Sequence, residues 1–165
     1  MKLTPANINN AKEINTLLNL SYRGEKGWTT ENNLVSGDRA TLEEVQLSIS
    51  NYLFLIYKNA EVIIACICLE EKGRDIYIGS FAVHPEHQSH GLGSAVLSAA
   101  EHYAITKLKA KKLTMFVLSE RTELISFYQR RDYKLSGINK EYPVHLNIGI
   151  PKYTGLTIVQ LHKNV

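Results

Sequence analysis

The chain has 165 residues, 44% hydrophobic and 21% charged, with a formal net charge of +3. That length holds one ordinary domain with a real core, and the composition excludes a disordered or fibrous chain. The weak positive charge does not suit a nucleic-acid binder, no run approaches the roughly 18 apolar residues of a membrane span, and the polar start MKLTPANINNAKEI lacks an apolar leader, so a cytoplasmic location is expected.

MKLTPA reads as a short first strand. Residues 9–20 put Ala11, Ile14, Leu17 and Leu18 on one helical face. The polar stretch RGEKGWTTENNLVSGDR then reads as a loop or irregular helix. Thr41-Leu-Glu-Glu44 has capping-box spacing and opens a second helix, with Leu42, Val45 and Ile49 expected inward. Beyond it the period changes from helical to alternating. Residues 52–58, 61–71 and 76–83 predict a three-strand meander, turning at Asn59-Ala60 and at Lys72-Gly73-Arg74. A loop and a helix to about Lys107 follow, then a strand over 113–118 and a helix over 121–131 with Leu124, Ile125 and Tyr128 at helical spacing. A strand from Tyr133 to Ile138, a loop with two prolines and a strand over 156–163 complete the chain.

Meander pairs are antiparallel and a strand–helix–strand unit makes a parallel pair, so a mixed sheet is expected. No repeat or linker divides the chain, and one domain over residues 1–165 is expected. The only cysteines, Cys66 and Cys68, would share one face of a strand. Too few for a disulfide framework, they are expected to be reduced, buried and inert.

The stretch HPEHQSHGLGSAVLSAAEHY, residues 84–103, is the most informative. His84, His87 and His90 are spaced by three, but the His-Pro start disfavours a helix there, so they share no rigid face. No set of further ligands completes a zinc site, and no metal is expected. Gly91-Leu92-Gly93 begins like a dinucleotide fingerprint, yet Val96 stands where the third small residue belongs, and no Walker lysine follows. What remains is a strand ending at Val83 and a helix that starts among glycines. The first N–H groups of a helix have no internal partner and carry the positive end of the peptide dipoles. Gly91 and Gly93 clear side chains from those donors, which suits a pyrophosphate. The same glycines would also serve a bare strand-to-helix turn.

Gln88-Ser-His-Gly91-Leu-Gly93, after FAVHP, resembles the [Q/R]-x-x-G-x-[G/A] motif of the GNAT N-acetyltransferase superfamily. SFYQRRDY, residues 126–133, is similar to the FY helix and following strand start of the same family. The resemblance covers roughly residues 50–138. It implies an α/β fold of α+β type with a mixed, mostly antiparallel sheet, about four helices and two central parallel strands that splay apart. It also implies acetyl-CoA as co-substrate and a primary amine of a small molecule or peptide as acceptor. By that likeness the diphosphate meets the N–H groups of Gln88, Ser89, His90, Gly91, Leu92 and Gly93, with Ser94 beside them. The pantetheine arm runs along Phe81-Ala82-Val83.

Tyr128 falls on the family's tyrosine and is expected to protonate the departing thiolate. Core packing with a satisfied hydroxyl is the plainer role for such a residue. Arg121 stands where many members have asparagine and is expected to contact the cofactor, for instance a phosphate. Asp132 replaces the usual glycine after the helix, and aspartate tolerates the left-handed backbone such a turn needs. Gln88 rather than arginine leaves the pyrophosphate short of one cation, which lysines or arginines elsewhere, such as Arg130 and Arg131, would supply unless they form only a solvated basic face.

For the acceptor, residues 22–39 are the best candidate cover, with Glu25 or Glu31 attracting a cationic amine and Trp28 packing on it. Trp28 would equally serve to anchor the loop. Glu70, Asp75, Tyr77 and His145 are candidate proton acceptors among which the sequence does not choose. A non-catalytic acyl-CoA-binding module is the alternative function, and a homodimer is compatible with the exposed strand edges.

Overall fold

A computed structural model describes the whole chain, Met1–Val165. Helix α1 (Ala11–Arg23) buries Ala11, Ile14, Leu17 and Leu18, the face its spacing predicts. Helix α2 (Leu42–Asn51) opens on the expected box: Glu44 N–H donates to Thr41 Oγ1 at 3.2 Å, and Thr41 N–H to Glu44 Oε2 at 2.8 Å. Val45 is buried, but Leu42, expected inward, is 40% exposed. It is the first residue after the cap, and a helical side chain leans back toward the N-terminus, here beyond the packed turn.

The main sheet has seven strands: β1 (Thr4–Pro5), β3 (Leu53–Asn59), β4 (Val62–Lys72), β5 (Asp75–Val83), β6 (Lys112–Leu118), β9 (Thr157–Asn164) and β7 (Lys134–Glu141), in that spatial order. Every neighbouring pair is antiparallel except β5–β6, which flank helix α3 (Leu92–Thr106) in the chain. Helix α4 (Thr122–Gln129) follows β6. The expected mixed sheet with four helices is therefore present. Strand β9 lies between β6 and β7, and β7 runs to Glu141, beyond the predicted Ile138.

Alternation sorts the core into two layers. Leu55, Ala65 and Ile67 join Val96, Leu97 and Ala100 of α3. Phe54, Cys66 and Cys68 pack with Ile14, Leu18 and Val45 of α1 and α2, so both cysteines share one face, as read. No helix is long and apolar enough to cross a membrane.

Two irregularities shape the centre. Strands β5 and β6 pair only at Asp75–Lys112, Ile76–Leu113 and Tyr77–Thr114, and then diverge. On the other side of β5 the register shifts: Cys68 faces Gly79 but Cys66 faces Ala82, with Ser80 at φ +45°. An extra residue on one strand is a bulge, which bends that strand. It bends β5 where its partner β6 is lost. Asp132 adopts φ +68°, the left-handed turn its position requires, and Tyr133 N–H closes onto Tyr128 O at 3.2 Å.

A further antiparallel pair, β2 (Val35–Ser36) with β8 (Ile150–Pro151), joins two stretches read as loops. Strands this short have no period to read. Gly149 beside it has φ +113°, and an added Cβ would meet Val35 Cγ1 at 2.6 Å and Ser36 O at 2.8 Å, so the turn needs glycine.

Candidate active site

The loop from β5 to α3 begins with a short 3₁₀ turn, Pro85–His87, in which His84 Nδ1 accepts from Glu86 N–H at 3.3 Å. Ser89 and Gly91 then take φ +64° and +81°. Gly91 caps α3 with no side chain of its own, and the first helical bond runs from Ala95 N–H to Gly91 O at 3.1 Å. From Ser89 to Ser94 no backbone N–H has a partner in the fold. These donors sit at the positive end of a helix, and nothing stands within 4 Å of where a Gly91 Cβ would be. Leu92 and Gly93 open the helix, and Gly93 lies under Val83, Phe81 and Phe127, each 3.8–3.9 Å from a would-be Cβ. His90 is exposed and folds back on its own loop, with Nδ1 2.7 Å from Gln88 O.

Arg131 braces this helix end. It donates to Ser94 Oγ and, at 2.6 Å, to Phe127 O, and its guanidinium lies 3.6 Å from the Phe127 ring centroid. Burial, with Arg130 next to it, lowers its pKa. Arg130 lines the adjoining cavity.

That cavity, about 360 Å³, runs from the loop along the open edge of β5. His84 N–H donates to Ile64 O at 2.8 Å, which sets the ladder so that the amide and carbonyl of Val83 face away from β4. Val83 O accepts from Ser21 Oγ at 3.0 Å and Gln88 Nε2 at 2.9 Å, and Phe81 O accepts from Tyr22 OH at 3.0 Å. Ala82, between them, is buried against the α1 layer. The last turn of α1 thus clasps the edge that β6 leaves open.

Trp28 lies over this first cavity. Its backbone N–H donates to Gln88 Oε1 at 2.6 Å, and its ring centroid is 5.9 Å from that of Phe127. Glu31, 8% exposed, is held by two guanidinium groups: Arg23 bonds Oε2, and Arg121 reaches Oε1 at 3.0 Å. Arg121 also donates to Thr29 Oγ1 at 2.8 Å, and Thr29 donates to Glu123 at 2.6 Å. These contacts strap the 24–31 loop onto α4. Glu25 is exposed and lines neither this cavity nor the next.

A second cavity, about 760 Å³, shares Tyr22, Phe81, Arg121, Leu124 and Tyr128 with the first. Tyr128, on α4, is 5% exposed and packs edge-on against Phe127 and Tyr133, with centroids 5.2 and 5.7 Å away. Burial pushes its pKa well above the ordinary tyrosine range, so at neutral pH it carries its proton. Glu70, Asp75, Tyr77 and His145 all line the second cavity, and burial raises the pKa of Tyr77 as well.

The loop, the β5 edge and Tyr128 thus come together as their sequence positions suggested. Trp28 lies by Gln88 in the first cavity rather than in the second, while the Glu31 and Arg121 side chains bind each other. Ser21 was missed: on a helix whose apolar face ends nearby, a serine gives no signal, and its role appears only when α1 crosses β5.

The family model described as the acetyltransferase (GNAT) family matches residues 13–133. Among solved structures, a protein from Streptococcus mutans UA159 is similar with a TM-score of 0.76 and 17% identity, covering 99% of each chain. A ribosomal-protein-alanine N-acetyltransferase from Brucella melitensis gives 0.75 and 11%, covering 100% of both. A spermidine N-acetyltransferase from Vibrio cholerae, in complex with CoA and spermine, gives 0.73 and 15%, covering 99% of this chain and 94% of that one. At these identities the structures share the fold, while the family match spans the loop before α3, the diverging strands and Tyr128. On that match, the chain belongs to the acetyltransferase (GNAT) family.

Proposed function

We propose that the protein transfers an acetyl group from acetyl-CoA to a primary amine of a small molecule or peptide, by direct attack. One observation carries this reading: the unpaired amides of Ser89–Ser94 continue into an open strand edge that leads to Tyr128, where two cavities meet. Acetyl-CoA, when bound, supplies an activated thioester. The amides of Ser89–Ser94 hold its diphosphate. The open edge at Phe81–Val83 receives the pantetheine as an added strand. Val83 N–H donates to the thioester oxygen as negative charge builds there. The acceptor reaches the same carbon from the second cavity.

As the new C–N bond forms and the C–S bond breaks, the neutral amine releases one proton to water in the second cavity, Tyr128 gives one to the thiolate, and the tyrosinate so formed is re-protonated from water. A phenol with pKa about 10 is a weak donor to a thiolate whose conjugate acid is near 8.5. Tyr128, raised further, therefore delivers its proton late, once the C–S bond has largely broken. Cys66 and Cys68 are buried, and burial pushes each thiol up to about 12, which supports attack without a covalent enzyme intermediate.

Thiol release from acetyl-CoA, measured over a panel of primary amines, tests the proposal. Turnover above the buffer rate is expected with at least one amine, together with thermal stabilisation by CoA. Stabilisation by CoA with no turnover on any amine would contradict transfer and favour a binding module.

A further inference from the structure

The second cavity carries a cation that the fold does not balance. Both oxygens of Glu31 are taken, one by Arg23 and one by Arg121. Arg39 stands beside this cluster, with its guanidinium 4.9 Å from the Tyr22 ring centroid; Arg121 lies 6.0 Å from the same centroid. The Arg39 side chain is half-buried and forms no ion pair, and only its backbone N–H is bonded. The buried Nε of Arg121 forms no hydrogen bond, its nearest carboxylate oxygen being Glu123 Oε1 at 3.7 Å. Among the acidic residues around the cavity, Glu70 is paired with Lys72 at 3.4 Å, and neither Asp75 nor Glu141 pairs with an arginine. Glu31 is thus fully taken by Arg23 and Arg121, Arg121 has Glu123 besides at 3.7 Å, and Arg39 alone of the three has no carboxylate, a setting that favours a further anion.

The cation is also well placed. Arg39 N–H donates to Asn19 Oδ1 at 2.6 Å, and Ala40 O accepts from Asn15 and Asn19 at 2.7 and 2.9 Å. Tyr22, under the guanidinium, is tied by its hydroxyl to Phe81 O on β5. Arg39 is therefore fixed relative to the open strand edge. It lines the second cavity and not the first, so the anion it awaits is not the diphosphate held by the Ser89–Ser94 amides.

We propose that Arg39 binds a carboxylate of the acceptor, so that the preferred acceptors are amino carboxylates of amino-acid size. This rests on the acetyl-transfer reading above. The guanidinium takes the carboxylate through paired N–H···O bonds, leaving the amine free to face the thioester.

Two measurements test it. In the first, kcat/KM is compared for amino acids, their primary amides and the corresponding decarboxylated amines. The acids are expected to lead by about 10- to 100-fold, as a hydrogen-bonded charge pair provides. In Arg39→Gln that lead is expected to vanish through KM, with kcat and CoA affinity held. Arg39→Lys is expected to restore part of it. Equal rates for acids and amides in the wild type, or a lead that survives Arg39→Gln, would overturn the proposal.

In the second, the same amino acids are titrated into CoA-loaded protein and followed by calorimetry. Saturable binding that Arg39→Gln abolishes supports the carboxylate site even if no amine is acetylated, an outcome that would fail only the transfer reading. Absence of such binding overturns the carboxylate site itself, whether or not other amines turn over.

Discussion

Replacing Tyr128 by Phe is expected to lower kcat by about 10²- to 10⁴-fold, the range of a positioned general acid. The change keeps the ring that packs against Phe127 and Tyr133 and removes only the hydroxyl. CoA affinity and the thermal midpoint are therefore expected to stay near wild type. A role in packing alone predicts the reverse, a shifted midpoint with little loss of rate. The pH profile adds a second readout. A general acid works only while protonated, and burial raises the pKa of Tyr128, so its alkaline limb moves to higher pH than an exposed tyrosine would give. A wild-type kcat that falls already below the ordinary tyrosine range, and that does so equally in Tyr128→Phe, would argue against this assignment.

The second large effect falls on Glu31. Its carboxylate separates two guanidinium groups, and the side chains of Glu31, Arg23 and Arg121 are 10%, 10% and 8% exposed. Glu31→Gln leaves Arg23 with no counter-ion and Arg121 with only Glu123, 3.7 Å from its Nε. Breaking a buried pair by removing one partner costs about 3–5 kcal/mol. For a domain of this size each kcal/mol moves the midpoint by about 2–4 °C, so a fall of about 6–20 °C is expected. Thermal and urea unfolding check it, and a loss below about 1 kcal/mol would show that the three groups are better hydrated than their burial implies.

Features written in adjacent residues were legible in the sequence. The Thr41–Glu44 cap, the α1 face, the meander and the glycine turn at residues 91–93 each depend on neighbours within a few positions. The divergence of β5 from β6 was expected only through family likeness, because its cause, the bulge at Ser80, is a mismatch between two strands. The grip of Arg23 and Arg121 on Glu31 joins α1, the following loop and the start of α4. It has no periodic signature, and a glutamate in a polar loop reads as solvated. Arg39 is hidden in the same way: that its guanidinium lacks a partner is visible only in the folded chain. The β2–β8 pair, too short for any pattern, fixes the loop that carries these residues.

The account depends on the unpaired amides at the start of α3, and backbone amide NMR of the intact protein titrated with CoA tests them most directly. Saturable shifts centred on Ser89–Ser94, extending to Val83, are predicted. Shifts centred elsewhere, or no saturation at millimolar CoA, would contradict the account at its base.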